Sequence, residues 1–303
     1  MKPHPTPEAL AQRRGIAVVT GAFFIWGLFP LYFKPLAGVP ALELVSHRIV
    51  WSAVFVVAWL LWRRELPEVV TVLRDWRKAR WLAASAVLIC VNWLVYVWAV
   101  THGRVVEVSL GYFINPLFNV ALGIAVFRER LSRPQWLAVS LAVAGVLYLS
   151  IASGRAPWIA LWLAATFAGY GLVRKAAPVG AVIGLAVETL LVAPLAAGWL
   201  LWLAINGTAS LGAGAWHVDA LLVASGIVTA LPLAMFAGGA RVIPFSLSGV
   251  IQYLAPTMVF LLGVLAFGEA FTLNQAVGFA LIWASVAVYV GDSLLNGARR
   301  KAA

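Results

Sequence analysis

Four polar side chains interrupt the apolar stretch 105–127: Ser109, Tyr112, Asn115 and Asn119. Their spacings of three, three and four put them on one face of a helix. Pro116 falls inside that stripe and, lacking an N–H, releases the carbonyl of Tyr112 four residues earlier. A polar face beside a released carbonyl suits the wall of a substrate cavity; hydrogen bonding to a neighbouring helix is the alternative. The stretch 81–100 carries Asn92, Trp93 and Tyr96. Asn92 lies about 16 Å from its start at a helical rise of about 1.5 Å per residue. An amide with two aromatic rings at that depth suits an amphipathic, aromatic ligand, with a packed interhelical amide as the alternative. In 242–267, Ser248, Gln252 and Pro256 recur every four residues, a second polar face with a helix-breaking proline. Trp26 and Phe23 in 15–36, and Tyr170 in 157–175, offer aromatic walls or core packing.

Charged groups are scarcer. Arg48 and Glu188 each fall about seven residues, or roughly 10 Å, into apolar stretches 41–62 and 181–205. Ionisable groups at such depth in an apolar helix are costly and so are functional candidates. Glu43 and His47 are four apart and can pair on one helical face. Arg48 is matched in depth to Glu107 or Glu43, and Glu188 to Arg174, Lys175 or Arg241. This gives two charge clusters that act as gates or as structural anchors. A titrating His47 or a buried Glu would couple the protein to protons.

The elements that hold these residues are set by composition. The chain has 303 residues, 63% hydrophobic and 11% charged, with mean hydropathy +0.95. That is too little charge to cover a water-facing surface. Ten stretches are long enough to cross a bilayer at about 20 residues each: 15–36, 41–62, 81–100, 105–127, 134–151, 157–175, 181–205, 219–238, 242–267 and 273–291. The net charge of +11 is explained by where the basic residues fall. With the N-terminus inside, cytoplasmic segments hold 18 of the 22 Lys and Arg residues. This positive-inside pattern places both termini in the cytoplasm, and nucleic acid is not the expected partner. The first apolar stretch exceeds a signal-peptide core and lacks a clear cleavage site, so it reads as a span. Segment 63–80 holds six basic residues and reads as an interfacial amphipathic helix on anionic lipid or as a plain basic connector.

A motif occurs twice, 140 residues apart. Pro116, Gly123, Phe127, Glu129 and Gln135 recur as Pro256, Gly263, Phe267, Glu269 and Gln275. Leu141, Ala144 and Val146 recur as Leu281, Ala284 and Val286. Two repeats follow, 15–151 and 157–291, of five spans each. An odd number inverts the second repeat in the membrane, the layout of alternating-access transporters. The fold class expected is therefore an all-α integral membrane protein of ten transmembrane helices in two inverted five-helix repeats.

Enzyme readings find no support. His4, His47, His102 and His217 show no metal-ligand spacing. No phosphate loop, nucleophile elbow or HExxH occurs, and the three aspartates are dispersed. No cofactor or metal is expected, and the lone Cys90 gives no disulfide framework.

Several blocks resemble the EamA-type drug/metabolite transporter superfamily, and within it the RarD branch. They are Trp26-Gly27-Leu28-Phe29-Pro30-Leu31-Tyr32-Phe33-Lys34, His47-Arg48-Ile49-Val50-Trp51-Ser52, Gly111-Tyr112-Phe113-Ile114-Asn115-Pro116-Leu117, Tyr170-Gly171-Leu172-Val173-Arg174-Lys175 and Gln252-Tyr253-Leu254-Ala255-Pro256-Thr257. The resemblance runs from about residue 13 to 293. It implies a multi-pass permease of the bacterial inner membrane that exports small amphipathic drugs or metabolites. Related transporters line a central cavity with spans one, three, four, six, eight and nine. Uptake or exchange of a metabolite, and a non-transporting receptor or scaffold, are the alternatives. The expected partners are a small-molecule substrate, the lipid bilayer and protons as a candidate coupling ion, with a homodimer left open.

Overall fold

Within a bilayer no water satisfies backbone N–H and C=O groups, so an apolar segment must close its hydrogen bonds internally. A computed structural model describes residues 7–127, 132–154, 156–177, 179–214, 216–239, 242–243 and 251–302, and among them the regular elements are all helical. These are α1 (Pro7–Gly27), α2 (Phe29–Phe33, followed by a 3-10 turn Lys34–Leu36), α3 (Ala41–Arg63), α4 (Leu66–Arg74), α5 (Trp76–Thr101) and α6 (Val105–Phe127). Then come α7 (Arg133–Ser153), α8 (Trp158–Ala176), α9 (Ala181–Ile205), α10 (Trp216–Gly239), α11 (Leu254–Leu261, continued by a π-helical turn Leu262–Ala266) and α12 (Leu273–Ala302).

Six of these helices are long and apolar enough to cross a membrane, seven if α1 and α2 form one broken span. The remaining three expected spans correspond to shorter apolar helices, Val105–Asn115, Trp158–Arg174 and Leu254–Ala266. The expected first span, 15–36, is interrupted at Leu28. Pro30 explains this: it has no N–H to donate, and its ring conflicts with the carbonyl of Trp26. Expected span 242–267 also departs from one continuous helix. Gln252 lies in a turn before α11, and Ser248 lies outside the described residues.

The chain forms two compact units that do not follow its two sequence halves. The first contains residues 1–28, 103–168 and 238–303; the second contains 29–102 and 169–237. In the first, α7 and α12 run antiparallel. Ser285 donates to the Ala138 carbonyl at 2.7 Å, and a Cβ on Gly145 would sit 3.0 Å from the Gly278 carbonyl oxygen. Small residues are what let two backbones come this close. α6 packs on α11 through Phe113 stacked on Tyr253, and Phe260, Phe279 and Trp283 form an aromatic cluster beside them. Glu269 caps α6, accepting from the Val105 N–H at 2.7 Å and the Val106 N–H at 2.8 Å.

In the second unit, α3 packs against α9 and α5. α10 meets α3 at Gly226, where a Cβ would lie 2.3 Å from the Trp51 carbonyl carbon. Within segment 63–80, α4 has its apolar face spent on protein: Val69 and Val72 are buried with Leu60, Leu82 and Ile183. Asp75 caps α5 by accepting from the Arg77 and Lys78 amides.

Candidate functional site

The second unit gathers most of the charged residues singled out above. On α3, Glu43, Ser46, His47, Arg48 and Ser52 are all buried. Their spacing makes a polar strip along a helix that is otherwise apolar, and each member needs a partner or a ligand. Arg48 Nε donates to Thr229 Oγ1 of α10 at 2.6 Å. Thr229 in turn donates to the Ser225 carbonyl at 2.8 Å, so its lone pairs are free to receive the guanidinium. The guanidinium carbon lies 4.2 Å from the Trp93 ring centroid, 5.4 Å from that of Phe29 and 5.6 Å from that of Phe33. Tyr96 meets both phenylalanines edge-on, at 6.4 and 6.0 Å. A delocalised cation on aromatic faces is stabilised by the ring quadrupoles, more so where water is excluded. Asn92 is also fully buried on α5. Arg48, Trp93 and Tyr96 therefore come together.

One turn before Arg48, the Glu43 carboxylate accepts from the Ser210 amide at 2.6 Å and the Ser210 hydroxyl at 2.8 Å. This ties the α9–α10 loop to the start of α3. His47 lies 3.9 Å from Glu43, and neither of its ring nitrogens has a hydrogen-bond partner among the described residues. Glu107, the other acid offered for Arg48, is engaged by Arg104 at 2.9 Å in its own turn of α6.

A second polar group surrounds Glu188 on α9. Its carboxylate lies 3.6 Å from Arg174 Nε, accepts from Ser85 of α5 at 2.5 Å, and accepts from Tyr170 of α8 at 3.4 Å. Gly184 makes room for the cation, since a Cβ there would fall 1.8 Å from Arg174 Nη1. Tyr170 thus meets a carboxylate through its hydroxyl.

The first unit holds the remaining candidates. Asn115 is buried, and its Oδ1 has no hydrogen-bond partner among the described residues. Tyr112 is half-buried, with its ring edge-on to Phe167 at 6.2 Å. Trp26 is half-buried against Phe23. α6 continues through Pro116 without ending. The side chains of Pro116 and Asn119 lie outside the described residues, as do Glu129 and Arg241. Pro256 is buried in the first turn of α11, a position where proline is tolerated because that N–H has no helical partner.

Sequence reasoning missed Thr229, Ser85 and Ser210 as partners. Each hydroxyl sits in an apolar helix or a Gly/Ser loop, where nothing in its neighbourhood marks it. The three lie 181, 103 and 167 residues from the charges they serve.

The EamA-like transporter family model matches residues 13–151. The RarD protein of Salmonella typhi is 45% identical over 95% of this chain and 98% of its own length. That of Escherichia coli strain K12 is 42% identical over 96% of this chain and 99% of its own. A Pseudomonas aeruginosa relative named chloramphenicol-sensitive protein RarD is 31% identical over 92% of this chain and 94% of its own. A solved crystal structure of 22% identity aligns with a TM-score of 0.58, covering 91% of this chain and 95% of that one, and it shares the fold. A Vibrio cholerae relative, 42% identical over 96% of this chain and 97% of its own length, is named an uncharacterized transporter, and the apolar helices make this a membrane protein. The chain belongs to the EamA-like transporter family, among its RarD members.

Proposed function

We propose that this chain is a secondary transporter of the bacterial inner membrane that exports small amphipathic, drug-like compounds or metabolites by alternating access. The observation that carries this reading is the buried polar content of the second unit. Two ionisable clusters, around Arg48 and around Glu188, are held inside apolar helices of a transporter-family protein. Such groups are expensive at membrane depth and mark substrate or ion pathways. Arg48 with Trp93, Tyr96 and Asn92 supplies an aromatic, hydrogen-bonding contact for an amphipathic substrate. Asn115 supplies an amide contact in the first unit. Glu188 and His47 are the proton-coupling groups, with Arg174 and Glu43 as their charged neighbours.

Seven spans and three shorter apolar helices add up to the ten proposed. Support for inversion comes from α7 and α12, which are repeat mates and run antiparallel. Contacts 138/285 and 145/278 are each other's equivalents at the offset of 140. The basic-residue bias supports cytoplasmic termini. The name of the Pseudomonas aeruginosa relative makes chloramphenicol the first compound to test.

The test is flux in proteoliposomes of known orientation, with and without an imposed proton gradient, for chloramphenicol and a panel of aromatic amphiphiles. Gradient-driven efflux that is lost in Glu188→Gln and reduced in Asn115→Ala is the expected result. Flux in the opposite direction would establish uptake instead. Absence of flux for every compound, with the protein correctly inserted, would overturn the transport reading.

A further inference from the structure

The elbow that joins α3 to α5 carries a concentration of arginine that the buried clusters do not use. Both helices are candidate spans, so residues 63–80 lie at one membrane surface. Two of the cations there are already matched: Arg63 lies 3.3 Å from Glu65, and Lys78 lies 3.4 Å from Asp75. Arg64, Arg74, Arg77 and Arg80 are all exposed. None of the four has a carboxylate within 4.0 Å among the described residues. The unmatched cations are therefore all arginines, whose planar fork fits two phosphate oxygens at once.

Arg64 is the one non-glycine residue with positive φ among the described residues, at 57°. That left-handed turn ends α3 and redirects the chain into α4. α4 is fixed there by Val69 and Val72, buried against α9 and α5. Its apolar face is consumed by protein, so it does not insert into lipid as a free amphipathic helix would. Exposed tryptophans flank the patch: Trp62 is 74% exposed and Trp76 is 75% exposed. Tryptophan settles at headgroup depth, the level at which a lipid phosphate stands.

We propose that this elbow is a binding surface for the phosphodiester headgroups of anionic phospholipids such as phosphatidylglycerol. A soluble polyanion matches the charge but has no use for two tryptophans beside it. A zwitterionic lipid carries the phosphate, but its ammonium is repelled by four unmatched guanidinium groups.

The test titrates short-chain phosphatidylglycerol and phosphatidylcholine against the purified full chain in non-ionic detergent, at low and high salt. The expected preference for phosphatidylglycerol is about tenfold at low salt and shrinks as salt rises. The joint variant Arg64→Gln, Arg74→Gln, Arg77→Gln, Arg80→Gln brings it to about twofold or less, and the matching four-lysine variant falls between. Arg13→Gln with Arg14→Gln, on α1, leaves it unchanged. A preference that survives the four-glutamine variant, or that the α1 pair removes as fully, overturns the proposal. Should loss of four cations prevent insertion, the wild-type salt series decides alone: a preference indifferent to salt, or no preference, overturns it.

Discussion

Replacing Gly226 by alanine drives a methyl group into the backbone of α3. The new Cβ would lie 2.3 Å from the Trp51 carbonyl carbon, 2.5 Å from Trp51 Cβ and 2.6 Å from the Ser52 nitrogen. Ordinary contact begins at 3.4 Å, so α3 and α10 must part by about 1 Å, because a backbone cannot swing aside as a side chain does. The bond from Ser52 to the Gly226 carbonyl, already 3.3 Å, then passes out of range. Arg48 Nε to Thr229 Oγ1 stretches from 2.6 Å to roughly 3.6 Å, no longer a hydrogen bond. Overpacking of this kind costs about 1–3 kcal/mol. Interhelical hydrogen bonds in membranes average about 0.6 kcal/mol and reach about 1.7. Packing is thus the larger contribution, and the expected total is about 2–4 kcal/mol. Reversible unfolding in mixed micelles, followed by tryptophan fluorescence, measures it. Gly198→Ala on α9 is the control: beyond its chain neighbours and its own helix backbone, no atom lies within 4 Å of its Cβ, and its effect is expected within about 1 kcal/mol. Thr229→Val should cost stability in the wild type and almost nothing on top of Gly226→Ala, since the bond is already gone. A Gly226→Ala protein within about 0.5 kcal/mol of wild type, or Thr229→Val costing the same in both backgrounds, would refute the reasoning.

Gly184→Ala displaces the Arg174 guanidinium, the flexible end of a side chain, and opens its pair with Glu188. It should cost about 1–2 kcal/mol, and adding Arg174→Gln should cost little more; full additivity would disprove the shared contact. Glu269→Ala uncaps α6, at about 1 kcal/mol. Amide exchange at Val105 and Val106 should quicken about fivefold at that energy, and unaltered exchange would count against the cap. Glu43→Ala should accelerate exchange across residues 207–214 by releasing Ser210, while Glu43→Gln, which keeps an acceptor, does so less; equal effects would reject the tie. Desolvation, the largest single influence, raises the Asp75 carboxyl, but hydrogen bonds from Lys78, the Lys78 charge and the Arg77 amide together outweigh it and hold the group below its ordinary 3.8. The α5 cap is therefore fully in force above that value and is lost as pH falls through the lowered one. Protection of the Arg77 and Lys78 amides, relative to their intrinsic exchange rates at each pH, should fall only on that acid side; a fall beginning near neutrality would contradict it.

The helical membrane architecture was legible because a run of apolar residues has few physical outcomes. Buried polar positions were legible for the same reason: Arg48, Glu188 and Asn115 stand out by contrast with their neighbours. Their partners were less so. Depth matching brought Glu188 to Arg174, whereas Thr229 and Ser85 are hydroxyls that could equally bond to their own helix. The break at Leu28 had a visible cause in Pro30, yet hydropathy averages over such a residue and reports one span. For segment 63–80, the amphipathic reading gave an apolar face but not what covers it. Val69 and Val72 pack inward, while Trp76 points out to 75% exposure, because the helix ends at Arg74 and the chain changes direction at Asp75.

The antiparallel seam between α7 and α12 has the form of a self-complementary subunit interface, in which patch i meets j and j meets i. Were the two helices on separate chains, the seam would hold only as far as chain concentration allowed. On one chain the partner is always present. At the proposed repeat offset of 140, position 285 has a serine that donates to the Ala138 carbonyl, while its counterpart, 145, is a glycine that lets the backbones touch. On the proposed repeat, one side of the seam supplies a bond and the other supplies proximity.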